Sequence, residues 1–141
     1  MAKASSIYRN NWRKWGAENA LTPPSKTSGG FWHSSDSKND KNPWIEFTMA
    51  EEAEVTSIKV IDRLDCCQYR FEEVEVKVGF GKGYNDPSSV SCGVQSHKGS
   101  SITYIYNCPA KTRGNYISIK KLGTTFNFFH VDYVEVSICS K

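Results

Sequence analysis

Two arginines, an aspartate and two adjacent cysteines fall within eight residues, Arg63-Leu64-Asp65-Cys66-Cys67-Gln68-Tyr69-Arg70. An aspartate between guanidinium groups can accept from one of them and fix its fork, leaving other N–H donors aimed outward. A rigid cationic fork of that kind suits vicinal sugar hydroxyls or a carboxylate. As an ordinary surface ion pair it would contribute only about 0–1 kcal/mol, and charges in turns are commonplace. Spacing alone leaves both readings open.

The adjacent pair Cys66-Cys67 narrows the choice. Two thiolates usually need intervening residues to point at one metal ion, and no second Cys or His cluster supplies further ligands. A disulfide between neighbours closes a small ring, because their Cα atoms lie only about 3.8 Å apart across a trans peptide. Exposed, such a bridge is a flat, polarisable platform. The alternative is that each bridges elsewhere, with Cys92, Cys108 and Cys139 available. Paired cysteines point to an oxidising compartment, although the chain starts without an apolar leader-like run.

Elements must position this cluster, and strands dominate after residue 43. Trp44-Ile45-Glu46-Phe47 alternates, Val55 to Ile61 is rich in β-branched residues, and Phe71 to Val78 sets Val74, Val76 and Val78 on one face. Ile102, Tyr104 and Tyr106 alternate likewise, as do Ile117 with Ile119 and Val134 with Val136 and Ile138. Gly-, Asn- and Pro-rich turns separate these runs. The pattern predicts an all-β, antiparallel sandwich or barrel without an α-helix of consequence. Ala17 to Lys41 reads as long loop, and Tyr8 to Trp15 as strand or loop packed on the sheet. The Arg63–Arg70 cluster lies between two strands, at one end of the sandwich.

Bulk properties agree with one domain spanning residues 1–141. The chain is 38% hydrophobic and 13% aromatic, with a net charge of +3 spread along its length. That charge is too weak and scattered for a nucleic-acid partner, and no run approaches the roughly 20 apolar residues of a membrane span. His97 and His130 read as lone histidines on the surface or in satisfied structural positions. No nucleophile, zinc or phosphate-loop motif is present, so no enzyme is predicted.

The Arg63-x-Asp65-Cys66-Cys67-x-x-Arg70 run, followed by the alternating strand ending Val76-Lys77-Val78-Gly79, resembles the F-type lectins (fucolectins). That family consists of discoidin-like, jelly-roll β-sandwiches with long binding loops at one end. Its pattern is a His upstream, then Arg-x-Asp, then Arg or Lys, and His33 with the Asn42-Pro43-Trp44 step fits it. The resemblance implies a pocket for L-fucose on fucosylated glycans or glycoproteins. His33, Arg63 and Arg70 would bond the sugar, Asp65 would orient the arginines, and a Cys66–Cys67 disulfide would stack under the ring. Phe31 and Trp32, beside His33, are plausible walls for the fucose methyl group. Ordinary packing of that loop against the sandwich end is the equal alternative.

The resemblance further implies a Cys92–Cys108 disulfide, leaving Cys139 as a reduced thiol or an interchain bridge. It implies an extracellular, secreted protein, with avidity supplied by homo-oligomerisation or repeated glycans. Two departures stand out. Ser34 to Asp40 looks like an insertion after His33, placed to extend or obstruct the pocket. The loop in which relatives hold a structural Ca²⁺, here Asn19 to Ser25, has lost its carboxylate and glycine, and Tyr133 stands at a late acidic position. Calcium would then depend on backbone carbonyls, and no cofactor is required. A discoidin-like protein- or lipid-adhesion module that has lost sugar binding, with Phe31 and Trp32 as inserting spikes, is the alternative function.

Overall fold

The computed structural model describes residues 1–23 and 30–139. Its strands, in chain order, are β1 (Ala2–Ala4), β2 (Trp32–His33), β3 (Trp44–Ile61), β4 (Val74–Gly79), β5 (Val90–Gln95), β6 (Thr103–Asn107), β7 (Arg113–Lys121), β8 (His130–Val131) and β9 (Tyr133–Ile138). All pairings are antiparallel. The first layer has the order β1-β3-β7-β4-β5, and the second is β6-β3-β9.

Strand β3 belongs to both layers. Its first half pairs with β1 and β7; its register shifts between Thr48 and Ala53, and its second half pairs with β6 and β9. The two alternating runs expected at Trp44–Phe47 and Val55–Ile61 are therefore one bent strand, the polar segment between them carrying the irregularity. Strand β5 had no clear signature, because Gly93 interrupts its short alternation. The strand expected from Phe71 starts only at Val74, since Glu73 adopts a left-handed backbone (φ 47°).

Between the layers lies the core. Val74, Val76 and Val78 share the inner face of the first layer with Ile45, Phe47, Ile117 and Ile119, and all are buried. From the second layer come Val55, Ile58, Val60 and Tyr106, whose hydroxyl donates to the Val74 carbonyl at 2.7 Å. Alternation places these side chains inward because the strand period is two. The expected face of Val134, Val136 and Ile138 turns inward only at its start, for Ile138 runs out into solvent at the end of the layer.

Tyr8 to Trp15 is neither strand nor plain loop. A 3₁₀ turn over Tyr8–Asn10 leads into the single-turn helix α1 (Trp12–Trp15), where the Asn11 side chain accepts from the Lys14 N–H at 3.2 Å. This turn and the short β2–β8 pair close one end of the sandwich. That is the end at which β3 terminates and Arg63 emerges.

The disulfides fall as expected: Cys66–Cys67 within the loop, and Cys92–Cys108 bridging β5 to the end of β6. Exposed Cys139 takes part in neither. The second bridge closes a loop with a sequence separation of 16. Replacing Cys92 and Cys108 together by alanine should lower the unfolding free energy by about 3 kcal/mol through the looser unfolded chain. Urea denaturation of the variant beside the parent measures this, and an unchanged midpoint would contradict it.

Candidate functional site

Beyond Ile61 the alternation of β3 continues for one step. Ile58, Val60 and Asp62 point inward, so Asp62 is fully buried and Arg63 turns out to the surface. The Asp62 carboxylate lies 2.5 Å from Nδ1 of His130, a residue paired with His33 in the β2–β8 ladder. The Arg63 N–H also donates to Asp62 at 2.8 Å. One buried carboxylate thus joins the root of the Arg63 loop to the strand opposite His33.

Arg63 is held from two sides. Its Nε and Nη2 donate to the two oxygens of Asp65, each at 2.8 Å, and its guanidinium lies 4.7 Å over the Phe31 ring. The same hydrogen bonds hold the Asp65 carboxyl below its usual range. Asp65 was expected to orient both arginines, yet it grips Arg63 alone. Arg70 instead packs 4.9 Å over the Phe128 ring, with Tyr69 at 5.8 Å, and no carboxylate among the described residues pairs with it. Between them Cys67 takes a left-handed backbone (φ 70°), and the Gln68 amide donates to the carbonyls of Arg63 and Leu64. The Cys66–Cys67 bridge is half-buried beside the cavity and does not line it.

His33 occupies an aromatic box. Tyr8 lies 4.7 Å from its ring, Phe128 5.2 Å and Trp15 5.6 Å. Nδ1 sits 2.8 Å from the Ser34 carbonyl, which can only accept, so Nδ1 carries the proton and Nε2 offers a lone pair. Burial, aided by His130 and the two arginines, brings the His33 pKa down to about 4 against the pull of that carbonyl. Burial likewise holds Asp62 well above the carboxylate range and His130 well below the imidazole range. Of the two places expected for it, His130 therefore takes the structural one, buried and partnered by Asp62.

Tyr8, Trp15, His33, Arg63, Arg70 and Phe128 enclose an open cavity of about 260 Å³. His33, from β2, meets Arg63 and Arg70, from one loop, at this cavity, and these are the three residues that the family resemblance named. The expected walls differ. Trp32 is fully buried on the opposite face of β2, where it packs on Phe129 and donates its indole N–H to the Ser6 carbonyl. Phe31 is buried beneath Arg63. Neither lines the cavity or projects from the surface, and the cavity's aromatic walls are Tyr8, Trp15 and Phe128. Tyr8 and Trp15 lie in the N-terminal run that was expected only to pack on the sheet, and Phe128 gave no periodic signal.

The segment Ser34 to Asp40 is pinned beside the site. Asp40 accepts from the hydroxyls of Ser5 and Ser6, and the Ser37 N–H bonds the Asn127 side chain, each at 2.5 Å. The calcium loop expected at Asn19 to Ser25 is described only to Pro23; Pro24 and Ser25 lie outside the described residues. Asn19 donates its amide to the carbonyls of Arg13 and Lys14, and Glu18 accepts from the Ala2 N–H. No group of three acidic, His or Cys side chains able to hold a metal ion occurs among the described residues. The described part of this loop does not supply the charged oxygens that a hard cation favours.

Residues 1–132 match the F5/8 type C domain family. The chain belongs to that family. A fucolectin of Anguilla anguilla is 28% identical over 110 residues, covering 77% of this F5/8 type C domain and 68% of the eel protein. The crystal structure of a fucolectin from striped bass (Morone saxatilis) serum superposes with a TM-score of 0.80 at 27% identity, covering 96% of this chain. The chain spans only 45% of that bass protein. The lectin domain of lectinolysin, solved with Lewis B antigen, gives a TM-score of 0.77 at 13% identity over 99% of the chain and 93% of its own, which shows the fold. The discoidin-like sandwich of the F-type lectins is therefore the fold of this domain.

The histidine geometry sets a pH dependence. His33 titrates lower in the folded domain than its ordinary 6.5, so below about pH 6.5 the unfolded chain gains a proton that the native state refuses. Its share of stability should fall as pH drops from about 6.5 to about 4, and level off below. An NMR titration should place the His33 midpoint near 4, with denaturation at pH 7 and pH 5 showing the loss. A midpoint near 6.5 would contradict the buried, neutral assignment.

Proposed function

We propose that this domain is a lectin that binds L-fucose on fucosylated glycans or glycoproteins at the His33–Arg63–Arg70 cavity. One observation carries the reading: His33 from one strand and two arginines from one loop converge on an aromatic-walled cavity of about 260 Å³. That volume is below the range of drug-sized pockets and suits a single sugar ring. Its chemistry suits a neutral polyol. The guanidinium groups are donors only, the neutral His33 Nε2 is an acceptor, and a sugar hydroxyl can satisfy either. Tyr8, Trp15 and Phe128 offer apolar faces to ring C–H groups and to a deoxy-sugar methyl. The fucolectin relatives support the assignment to this sugar, and the Cys66–Cys67 bridge at the cavity's edge suits a contact with the ring.

Binding is non-catalytic in this reading: Arg63 and Arg70 orient the hydroxyls, His33 accepts one proton in a hydrogen bond, and no bond of the sugar is broken. A single small cavity gives weak affinity for a monosaccharide, so useful strength comes from several copies meeting a multivalent glycan. An extracellular setting agrees with two disulfides in so short a chain. Structural Ca²⁺ is no part of this proposal.

The adhesion reading loses Phe31 and Trp32 as spikes, but exposed Leu64, Tyr69 and Phe126 keep a form of it open to test. Titration calorimetry with L-fucose decides between them. The parent should bind, and Arg70→Ala should abolish detectable binding while changing stability by less than about 1 kcal/mol, since Arg70 has no ion pair to lose among the described residues. Absence of fucose binding by the folded parent, with capture on liposomes that free fucose does not inhibit, would transfer the function to adhesion.

A further inference from the structure

Phe128 is the cavity wall that no sequence pattern announced, and its backbone is left-handed at φ 67°. A bulky residue holds that conformation only when its surroundings impose it. The group that does so is buried. Lys121, the last residue of β7, is 1% exposed, unusual for a lysine. Its Nζ donates to the carbonyls of Phe126 and Phe128, each at 2.7 Å, with the Glu72 carboxylate at 3.8 Å. Glu72 in turn accepts from the N–H groups of Thr125 and Phe126. The turn leading to Phe128 is thus held by a cation at its carbonyls and an anion at its amides.

The local sequence is shaped to this clamp. A Cβ on Gly123 would stand 2.2 Å from Glu72 Cγ, so no larger residue fits there without displacing the carboxylate. Asn42 donates to the carbonyls of Lys121 and Leu122, which fixes the strand end from which the lysine reaches. Burial lowers the Lys121 pKa to about 8, with Glu72 acting against it.

We propose that Lys121 is a positioning residue for ligand binding: it holds the carbonyls on both sides of Asn127 so that the Phe128 ring faces His33 and Arg70. The inference rests on the lectin reading and names the device that sets that cavity's wall. Lys121 touches no ligand, and acts only through Phe128.

A double-mutant cycle with L-fucose as the probe tests this, measured by calorimetry well below the melting temperature of every variant. Phe128→Ala and Lys121→Met should each weaken binding about tenfold, a loss of about 1.4 kcal/mol. In the Phe128→Ala background, Lys121→Met should add less than about twofold, because its route of action is already gone. Independent, multiplying losses, or undiminished affinity in Lys121→Met alone, would overturn the clamp. The His33 ring-proton resonance, shifted by the Phe128 ring current, reads the same device without ligand, and Lys121→Met should move it as Phe128→Ala does. A parent that fails to bind fucose overturns the lectin reading, and the clamp then stands or falls on that resonance. If Lys121→Met does not fold, Glu72→Gln takes its place, with the resonance expected to move and its constancy counting against the proposal.

Discussion

The contact between Asp62 and His130 ties the binding end of this domain together. It follows from the register of β3: once Ile58 and Val60 face the core, Asp62 must do so as well, and Arg63 must not. A one-residue slip would reverse both. A carboxylate delivered to the core is costly unless it is bonded or neutral, and His130 at 2.5 Å meets that need across a sequence gap of 68. Burial raises the Asp62 pKa and lowers that of His130, which biases both partners toward their uncharged forms. Among the described residues, Asp62 Oδ2 and His130 Nε2 are buried without a hydrogen-bond partner, which keeps either group from charging cheaply. The same bond anchors β8, and β8 is the strand that pairs His33.

Electrostatics around the cavity are lopsided by design of the chain. Arg63, Arg70 and buried Lys121 bring three cations to one end of the sandwich, and Asp65 and Glu72 answer two of them. Arg70 is left to the aromatic face of Phe128, an attraction that holds the guanidinium without consuming its N–H donors. Burial is the main cause that holds both histidine pKa values down, and this excess of positive charge adds to it. A neutral His33 amid cationic donors makes the cavity a mixed donor–acceptor surface, where a charged imidazolium would have left donors alone.

Much of this was legible in local sequence, and what escaped shares one physical cause. The strands could be read because alternation is local: Val74, Val76 and Val78 are all fully buried, as their spacing demands. Arg63, Asp65 and Arg70 were legible because one loop carries them, and His33 because the family resemblance pointed to it. Trp32 was misplaced by its neighbours in sequence, when strand geometry sends adjacent residues to opposite faces. The pairing of Asp62 with His130, and of Lys121 with the carbonyls before and at Phe128, left no trace in any window. Buried polar partners are chosen by the assembled fold, and neither periodicity nor turn chemistry reports them.

The two disulfides illustrate how differently the chain invests in rigidity. Cys92–Cys108 restrains a loop of the unfolded chain and acts on global stability. Neighbouring residues enclose almost no chain between them, so Cys66–Cys67 has little unfolded-state entropy to remove. Its effect is confined to the loop between Asp65 and Arg70, where the Gln68 amide and the Arg63–Asp65 fork also act. A small neutral ligand provides few interactions, and each rotor frozen on binding would subtract from them. On the lectin reading, a bridge and a fork that fix the donors in advance, with a buried lysine behind the opposite wall, are what let so shallow a cavity hold a sugar.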